Sequence, residues 1–206
     1  MFSQVKKVCF ADYTFYVWPD VYEPAEDSFL FAENLTVQAG DYILDMGTGC
    51  GILGIIAAEK ASRVVAVDIN PAAVRCAREN ARLNRVADKM FFVQGDLFAP
   101  LKVGERFDII MFNAPYLPSE PWEGDTWLER AWAGGTDGRA VLDRFLQVFP
   151  TYLKADGRVL LMQSILANLE KTFQALEMQG FKANVVAEQS FPLFEAIVLV
   201  EVKRRS

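Results

Sequence analysis

Two short motifs in this 206-residue chain combine residue types that can do chemistry. The first runs from Asp45 to Gly51 and reads Asp-Met-Gly-Thr-Gly-Cys-Gly; the second is Asn113-Ala114-Pro115-Tyr116. Alternate glycines let a backbone turn sharply and approach a nucleotide-like ligand closely. An asparagine oxygen beside a backbone carbonyl can accept both hydrogens of a planar nitrogen. Together the motifs predict methyl transfer from S-adenosylmethionine to an amide or amino nitrogen.

Acidic residues follow the first three apolar strands that the sequence predicts. Asp45 can face a cationic ligand, and Asp68 lies near the spacing of about 20 residues at which an acid meets ribose hydroxyls. Asp96, in Gly95-Asp96-Leu97, can accept a hydrogen bond from an exocyclic adenine amine. Ile52 takes the place of the third glycine of the dinucleotide motif, so no pyrophosphate is expected. Aspartate is also common where strands end, which is the plain alternative.

The second motif suits a poor nucleophile whose lone pair is delocalised. The Asn113 side-chain oxygen and the Ala114 carbonyl can accept both N–H hydrogens, while Pro115 and Tyr116 pack on the flat face. This would be catalysis by orientation, with the hard chemistry carried by the cofactor. Because the proton can leave after transfer, no base is required. The alternative is an ordinary proline turn after a strand.

Composition narrows the class of protein. The net charge of −6 and the pI of about 4.8 disfavour direct nucleic-acid binding. The chain has no histidine, and Cys9, Cys50 and Cys76 lack metal-site spacing, so no metal site is expected. Free thiols and the lack of a signal pattern or an apolar run of membrane-spanning length predict a cytoplasmic protein without membrane contact.

Strand and helix patterns alternate along the chain and predict an α/β fold. A hairpin over 5–18 and a helix over 24–34 form an N-terminal extension, residues 1–34, of a single domain, residues 1–206. Continuous apolar strands separated by helices indicate a parallel sheet covered on both faces. The last two strands lack a helix between them, so one is expected to run antiparallel. Strands are predicted at 42–45, 64–67, 90–93, 107–112, 158–162, 181–187 and 196–202, and helices at 51–61, 70–83, 139–149 and 169–179.

One long irregular stretch, residues 113–138, is left between these elements, and loops of this length often carry function. It contains Trp122, Trp127 and Trp132. The tryptophans either form a peptide-binding wall or fold back to anchor the loop.

Several segments together resemble the HemK family, in particular its short eukaryotic and archaeal branch. They are Val-Tyr-Glu-Pro-Ala-Glu-Asp-Ser at 21–28, the two motifs above, Asp-Ile-Asn-Pro at 68–71, Ala-Trp-Ala-Gly-Gly at 131–135, Asp-Gly-Arg at 137–139 and Leu-Asp-Arg-Phe at 142–145. The resemblance implies a Rossmann-like class I methyltransferase with a seven-stranded, mostly parallel sheet and one antiparallel strand. It implies methylation of the glutamine amide in the Gly-Gly-Gln motif of a translation release factor, with S-adenosylhomocysteine as product.

The resemblance also implies the site residues. The glutamine would be held by Asn113, Ala114, Pro115 and Tyr116. The cofactor would be lined by Tyr22, Ser28, Asp45, Gly47, Gly49, Asp68, Asp96, Leu97 and Asn113. One departure stands out: Ala114 replaces the first of two prolines, so the carbonyl survives but the turn gains freedom.

A small zinc-binding activator subunit accompanies short-branch members, and the resemblance implies one here. Residues 90–93 read Met-Phe-Phe-Val and should form an edge strand. An apolar, unpaired edge favours association unless it is covered. We therefore expect a heterodimer formed through this strand.

Three other functions fit parts of the pattern. The paired acceptors of the Asn-x-Pro-Tyr motif could also bind the exocyclic amine of adenine or guanine. The acidic net charge of the chain argues against a nucleic-acid methyltransferase. A lysine methyltransferase would gain little from paired acceptors, because an ammonium must first lose a proton. A non-catalytic cofactor-binding scaffold would not need Asn113 and Tyr116.

Overall fold

The computed structural model describes residues 4–120, 125–192 and 195–205. Nine β-strands, six α-helices and two short 3₁₀ helices lie within these ranges. The chain divides into two compact units, residues 1–100 and 101–206. The single-domain organisation therefore stays a prediction.

An N-terminal hairpin opens the first unit. Strands β1 (Lys6–Phe10) and β2 (Tyr13–Val17) pair antiparallel in a two-stranded sheet, as predicted. Phe15 and Val17 bury their side chains, so this hairpin belongs to the core. Helix α1 (Glu26–Glu33) follows, two residues later than the predicted start at Pro24, because Ala25 is still extended with φ −127°.

Three parallel strands complete the first unit. They are β3 (Tyr42–Met46), β4 (Arg63–Asp68) and β5 (Met90–Gln94), with β4 paired to both others. Helix α2 (Ile52–Ala58) follows β3 and helix α3 (Pro71–Leu83) follows β4. The predicted cap of α3 is confirmed: the Asn70 side chain accepts from the Ala72 N–H, with proline next to it. The carboxyl ends of the three strands therefore lie at one edge of the sheet.

The second unit continues with four strands and three helices. The strands are β6 (Phe107–Asn113), β7 (Leu153–Ser164), β8 (Phe181–Phe191) and β9 (Glu195–Arg204). The helices are α4 (Trp127–Arg130), α5 (Ala140–Val148) and α6 (Leu169–Met178), with 3₁₀ turns at Phe149–Thr151 and Ile165–Ala167. A chain of aromatic contacts joins Phe112, Phe145, Phe149 and Phe181 in its core, with centroids 4.6 to 5.6 Å apart.

The seven-stranded sheet has the order β5-β4-β3-β6-β7-β9-β8. Strand β9 runs antiparallel to β7 and to β8, whereas the pairs β3–β4, β4–β5 and β6–β7 are parallel. This confirms the mostly parallel α/β fold with one antiparallel strand. It also confirms that β5 is an edge strand. In the described part of the chain, no helix has both the length and the apolar character that crossing a bilayer requires.

Candidate active site

The glycine loop, residues 47–51, is tied back to the neighbouring strand by its own backbone. The N–H groups of Gly47 and Thr48 both donate to the Val67 carbonyl, at 2.8 and 3.0 Å. All three glycines of the loop have positive φ: 68° at Gly47, 56° at Gly49 and 92° at Gly51. Only glycine adopts this region without strain, which explains the alternate spacing.

Two of these glycines are required for different reasons. A Cβ added at Gly51 would press on Ala77 and Ile55, at 3.0 to 3.2 Å, so this glycine lets α2 and α3 approach. A Cβ added at Gly49 would meet no protein atom within 4 Å. The loop thus presents bare backbone at Gly49, which fits the close approach of an adenosyl cofactor.

Asp68 joins the end of β4 to the glycine loop. One carboxylate oxygen accepts the Gly49 N–H at 2.9 Å and the other accepts the Asn70 N–H at 2.9 Å. Burial raises the pKa of Asp68, while these N–H groups oppose the shift. The structure therefore brings the predicted residues Gly49 and Asp68 together, and a ribose role for Asp68 stays a prediction.

Asp45 is buried at the end of β3, with 1% of its surface exposed. One of its oxygens accepts the Thr48 hydroxyl at 2.6 Å and the Gly54 N–H at 3.1 Å, so the side chain caps α2. A Cβ at Gly54 would overlap this oxygen. Burial raises the pKa of Asp45 from 3.8 to about 6, against the effect of those two hydrogen bonds. Its predicted contact with a cationic ligand stays a prediction.

The segment before α1 holds a second group of predicted cofactor residues. Asp27 is buried and accepts from the backbone N–H and the hydroxyl of Ser28, at 2.6 and 3.1 Å. The Tyr22 hydroxyl donates to the same carboxylate at 3.3 Å. Burial, followed by the Asp27 charge, raises the pKa of Tyr22. Tyr22 and Ser28 thus share Asp27 as their common acceptor, and this carboxylate also lies in the first turn of α1, where the helix dipole favours an anion.

The turn after β5 carries the last predicted cofactor residues of this unit. Leu97 adopts φ +47°, a conformation rarely seen for a leucine. Gly95 allows the turn, because a Cβ there would overlap the Pro100 ring. Asp96 is half-buried. A strained residue next to an acid at the carboxyl edge of the sheet is the kind of outlier that functional sites retain.

The acceptor turn, residues 113–116, lies in the second unit. Asn113 is the last residue of β6 and pairs with Met162 of β7. Ala114 is 2% exposed, so packing around its methyl group restrains the turn where the first of the two usual prolines is missing. Pro115 and Tyr116 are half-buried and remain reachable from outside.

Main-chain hydrogen bonds hold the chain just after this turn. The Leu117 N–H donates to the Trp132 carbonyl at 3.1 Å, and the Gly134 N–H donates back to the Leu117 carbonyl at 2.8 Å. Two residues on, the Ser119 N–H donates to the Gly135 carbonyl at 2.9 Å and the Ser119 hydroxyl accepts the Gly135 N–H at 2.9 Å. These bonds form a short parallel ladder.

Gly138 supports the turn from behind. It has φ +70°, and a Cβ added there would overlap the carbonyl oxygen of Tyr116. The next residue, Arg139, is 1% exposed. Its guanidinium donates to the Ala167 and Asn168 carbonyls and to the Thr172 hydroxyl, and pairs with Asp143 at 2.6 Å. Gly138 is thereby fixed next to a buried cation that four hydrogen bonds hold.

The described part of the irregular stretch contains a helix that the sequence patterns did not predict. Helix α4 is four residues long and begins with a capping box, in which Thr126 and Glu129 each accept the other's backbone N–H. Thr-x-x-Glu is the sequence signal for this cap. Trp127 and Trp132 are half-buried, whereas Trp122 lies outside the described residues. A peptide-binding wall therefore stays a prediction.

Comparison with known proteins is consistent with this geometry. Residues 28–114 match the family model described as ribosomal protein L11 methyltransferase (PrmA). A putative protein N5-glutamine methyltransferase of Methanocaldococcus jannaschii is 44% identical over 183 residues, which cover 88% of this chain and 91% of the relative. The human methyltransferase HEMK2 is 34% identical, over 79% of this chain and 80% of its own. This chain belongs to the HemK family.

Solved structures agree on the fold of this HemK-family chain. The E. cuniculi Mtq2-Trm112 complex, described as responsible for methylation of the eRF1 termination factor, contains a chain that matches with a TM-score of 0.67 at 22% identity. The match covers 91% of this chain and 100% of that one. An M. jannaschii tRNA methyltransferase matches with a TM-score of 0.70 at 18% identity, over 98% of this chain and 57% of its own. At these identities the likeness shows the class I methyltransferase fold alone. The chain is a methyltransferase by family.

Proposed function

We propose that this chain methylates the side-chain amide of the glutamine in the Gly-Gly-Gln motif of a translation release factor. Similarity over 88% of this chain to a putative protein N5-glutamine methyltransferase carries the proposal. A fission yeast relative, 31% identical over 80% of this chain, is named the catalytic subunit of an eRF1 methyltransferase. A Bacillus cereus relative, 30% identical over 78% of this chain, is named a release factor glutamine methyltransferase.

The chemistry assigns each residue of the acceptor turn a task. The Asn113 side-chain oxygen and the Ala114 carbonyl accept the two amide hydrogens, which fixes the plane of the amide. Pro115 and Tyr116 pack against its flat face. S-adenosylmethionine, when bound, supplies the electrophilic methyl group and leaves as S-adenosylhomocysteine. The glutamine nitrogen gains the methyl group and afterwards releases one proton to solvent, so a histidine-free chain needs no base.

The first unit would hold the cofactor. Gly47 and Gly49 would offer backbone to the adenosyl group, and Asp68 would accept hydrogen bonds from the ribose hydroxyls. Asp96 and Leu97 would border the adenine, while Tyr22 and Ser28 would cover it from the N-terminal segment. Asp45 would face the cationic part of the ligand. The bare backbone of Gly49 next to the Asp68 carboxylate supports this assignment.

Mass spectrometry of a cognate release factor tests the proposal. After incubation with this chain, cofactor and candidate partner, the Gly-Gly-Gln peptide should gain the mass of one methyl group. Asn113→Ala should lower the rate about twentyfold, because one of the two acceptors is lost while the rest of the turn stays.

The other outcomes are informative. An unmodified peptide would contradict the proposal. A methyl group only on a lysine-substituted peptide, or only on nucleic acid, would support those rival activities. A rate that is zero before any substitution fits a scaffold.

We also propose that a small subunit, zinc-binding in the short branch that this chain resembles, adds a strand to β5. Two arginines already lie over its aromatic residues: Arg63 is 4.7 Å from the Phe91 ring centre, and Arg78 is 5.7 Å from that of Phe92. These arginines cover the two faces of the strand. The backbone N–H and C=O groups on its outer edge would bind the added strand of the partner. The Mtq2-Trm112 complex is a precedent for a two-chain assembly.

Substitution at the two edges of the sheet tests the partner surface. Phe91→Glu should abolish co-purification with the activator, because it places a charge on the docking edge. Val186→Glu on the opposite edge strand β8 is the matched control, since the two side chains are 46% and 45% exposed. An isolated chain that is monomeric and fully active would show that no partner is needed.

A further inference from the structure

Strand β2 has a strand partner on one side only in the described part of the chain, and two asparagines complete its other side. In an antiparallel pair, every second residue turns its N–H and C=O away from the partner strand. On β2 these residues are Thr14 and Tyr16. Asn84 accepts the Thr14 N–H at 3.1 Å and donates to the Thr14 carbonyl at 2.8 Å. Asn80 does the same for Tyr16, at 2.8 and 3.0 Å.

Asn80 contacts the glycine loop, which Asn84 does not. Its side-chain N–H also donates to the carbonyl of Cys50, in the glycine loop, at 2.8 Å. Asn80 is 1% exposed, so the Cys50 carbonyl could not easily turn to water if the amide were removed, whereas the Tyr16 carbonyl would keep the Cys76 thiol as a donor at 3.1 Å. Asn84 lies at the end of α3, is half-buried and gives its remaining contact to the carbonyl of Asn80. The two side-chain amides thus make the same pair of hydrogen bonds to β2. Only the Asn80 amide also donates a hydrogen bond to the glycine loop.

The hairpin leads directly into the segment that carries Tyr22 and Ser28. Between β2 and Tyr22, the Asp20 carbonyl accepts a hydrogen bond from the Asn70 side chain at 2.7 Å. The backbone N–H of Asn70 also donates to Asp68. The chain from β2 to α1 is therefore held by hydrogen bonds at two points, at Tyr16 by Asn80 and at Asp20 by Asn70. The Asn80 side chain, which binds β2, also binds the glycine loop through the Cys50 carbonyl.

We propose that Asn80 is a positioning residue that couples docking of the N-terminal hairpin to the geometry of the glycine loop, and so to cofactor affinity. The proposal rests on the cofactor assignment of the proposed function and not on the release-factor substrate. When Asn80 is in place, the Cys50 carbonyl is satisfied and the loop keeps its glycine conformations. Without it, the buried carbonyl must find another donor, and the loop must rearrange before it can bind ligand.

Paired alanine variants test the coupling by calorimetry with S-adenosylhomocysteine. Asn80→Ala should raise the dissociation constant about tenfold, a change of about 1.4 kcal/mol. Asn84→Ala should raise it less than about twofold, although it frees β2 in the same way. Equal effects of the two substitutions, or no effect of either, would overturn the proposal. Loss of release-factor methylation with unchanged binding would concern the proposed substrate and not this inference.

A second measurement uses only the unsubstituted chain, so it does not depend on the stability of a variant. Coupling is reciprocal, so cofactor binding must strengthen docking of the hairpin at Asn80. Amide hydrogen exchange should therefore slow at Tyr16 when S-adenosylhomocysteine binds. It should slow less at Thr14, whose N–H is held by Asn84. Equal protection of the two amides would contradict the assignment of Asn80.

Discussion

Replacing Gly138 by alanine is expected to lower methyl transfer about a hundredfold, a much larger change than it causes in cofactor affinity. The new Cβ would overlap the Tyr116 carbonyl oxygen, and Arg139 anchors the backbone on its other side. The acceptor turn must therefore give way. A displacement of about 1 Å of a positioning group is enough for a loss of this size. The loss exceeds that expected for Asn113→Ala, because both acceptors and the stacking face move together.

Gly180→Ala is the matched control for backbone strain. Gly180 has φ +80°, close to the +70° of Gly138, but a Cβ there meets nothing within 4 Å. Both variants should lose about 1 kcal/mol of stability from the left-handed conformation. Only Gly138→Ala should lose turnover. Single-turnover rates, with calorimetry of S-adenosylhomocysteine binding, separate the two effects; equal rates in the two variants would show that Gly138 does not support the turn.

Raising the pH is expected to destabilise the fold through Asp45 by up to about 3 kcal/mol. The pKa of this carboxyl is raised from 3.8 to about 6 because the folded chain buries it. Between these two values the folded chain binds the proton more tightly than the unfolded chain does. Its contribution is thus fully present below about pH 4 and is lost as the pH rises through 6. A shift of about two pKa units corresponds to about 3 kcal/mol.

Chemical denaturation of the wild type and of Asp45→Asn across this pH range measures the effect. An asparagine oxygen can still accept from Thr48 and Gly54, so the variant keeps the cap of α2 but cannot ionise. The difference in unfolding free energy between the two proteins should change by about 2 to 3 kcal/mol in favour of the variant as the pH rises from 4 to 7. Asp156→Asn, on an exposed side chain, controls for the lost charge. Parallel profiles for wild type and Asp45→Asn would disprove the prediction.

Local sequence signals predicted most of the elements, and the misses have local causes. Asn70-Pro71 marked the start of α3 because cap and proline act within a few residues. Strand β7 begins at Leu153, earlier than predicted, although Asp156-Gly157 resembles a turn. The register with β6 shifts between Phe107 and Ile109, and a Cβ at Gly157 would press on the Phe107 carbonyl, so this glycine serves an irregularity within the strand.

The residues of the candidate site also fall into those that local sequence signals predict and those that they do not. The glycine loop and Asp68 follow from spacing, because a strand end and a turn are neighbours in sequence. Asn80, Gly138 and Arg139 did not follow, because their partners are distant. Asn80 holds a residue 64 positions away, and Arg139 holds carbonyls 28 and 29 positions away. An asparagine near a helix end predicts only a cap, and a glycine before an arginine predicts only a turn.

The spacing of Asn80 and Asn84 on α3 also limits how many residues of the hairpin strand the helix can bind. Four residues of helix advance about 6.0 Å, and two residues of strand advance about 6.8 Å. The two spacings nearly coincide for one step, so Asn80 and Asn84 can each meet a rung of β2. Each further step would add about 0.8 Å of offset and turn the helical side chain a further 40° or so around its axis. A third amide would therefore point past the strand. Because the helix and the strand advance by different distances per step, a longer N-terminal strand would gain no additional hydrogen bonds to the helix.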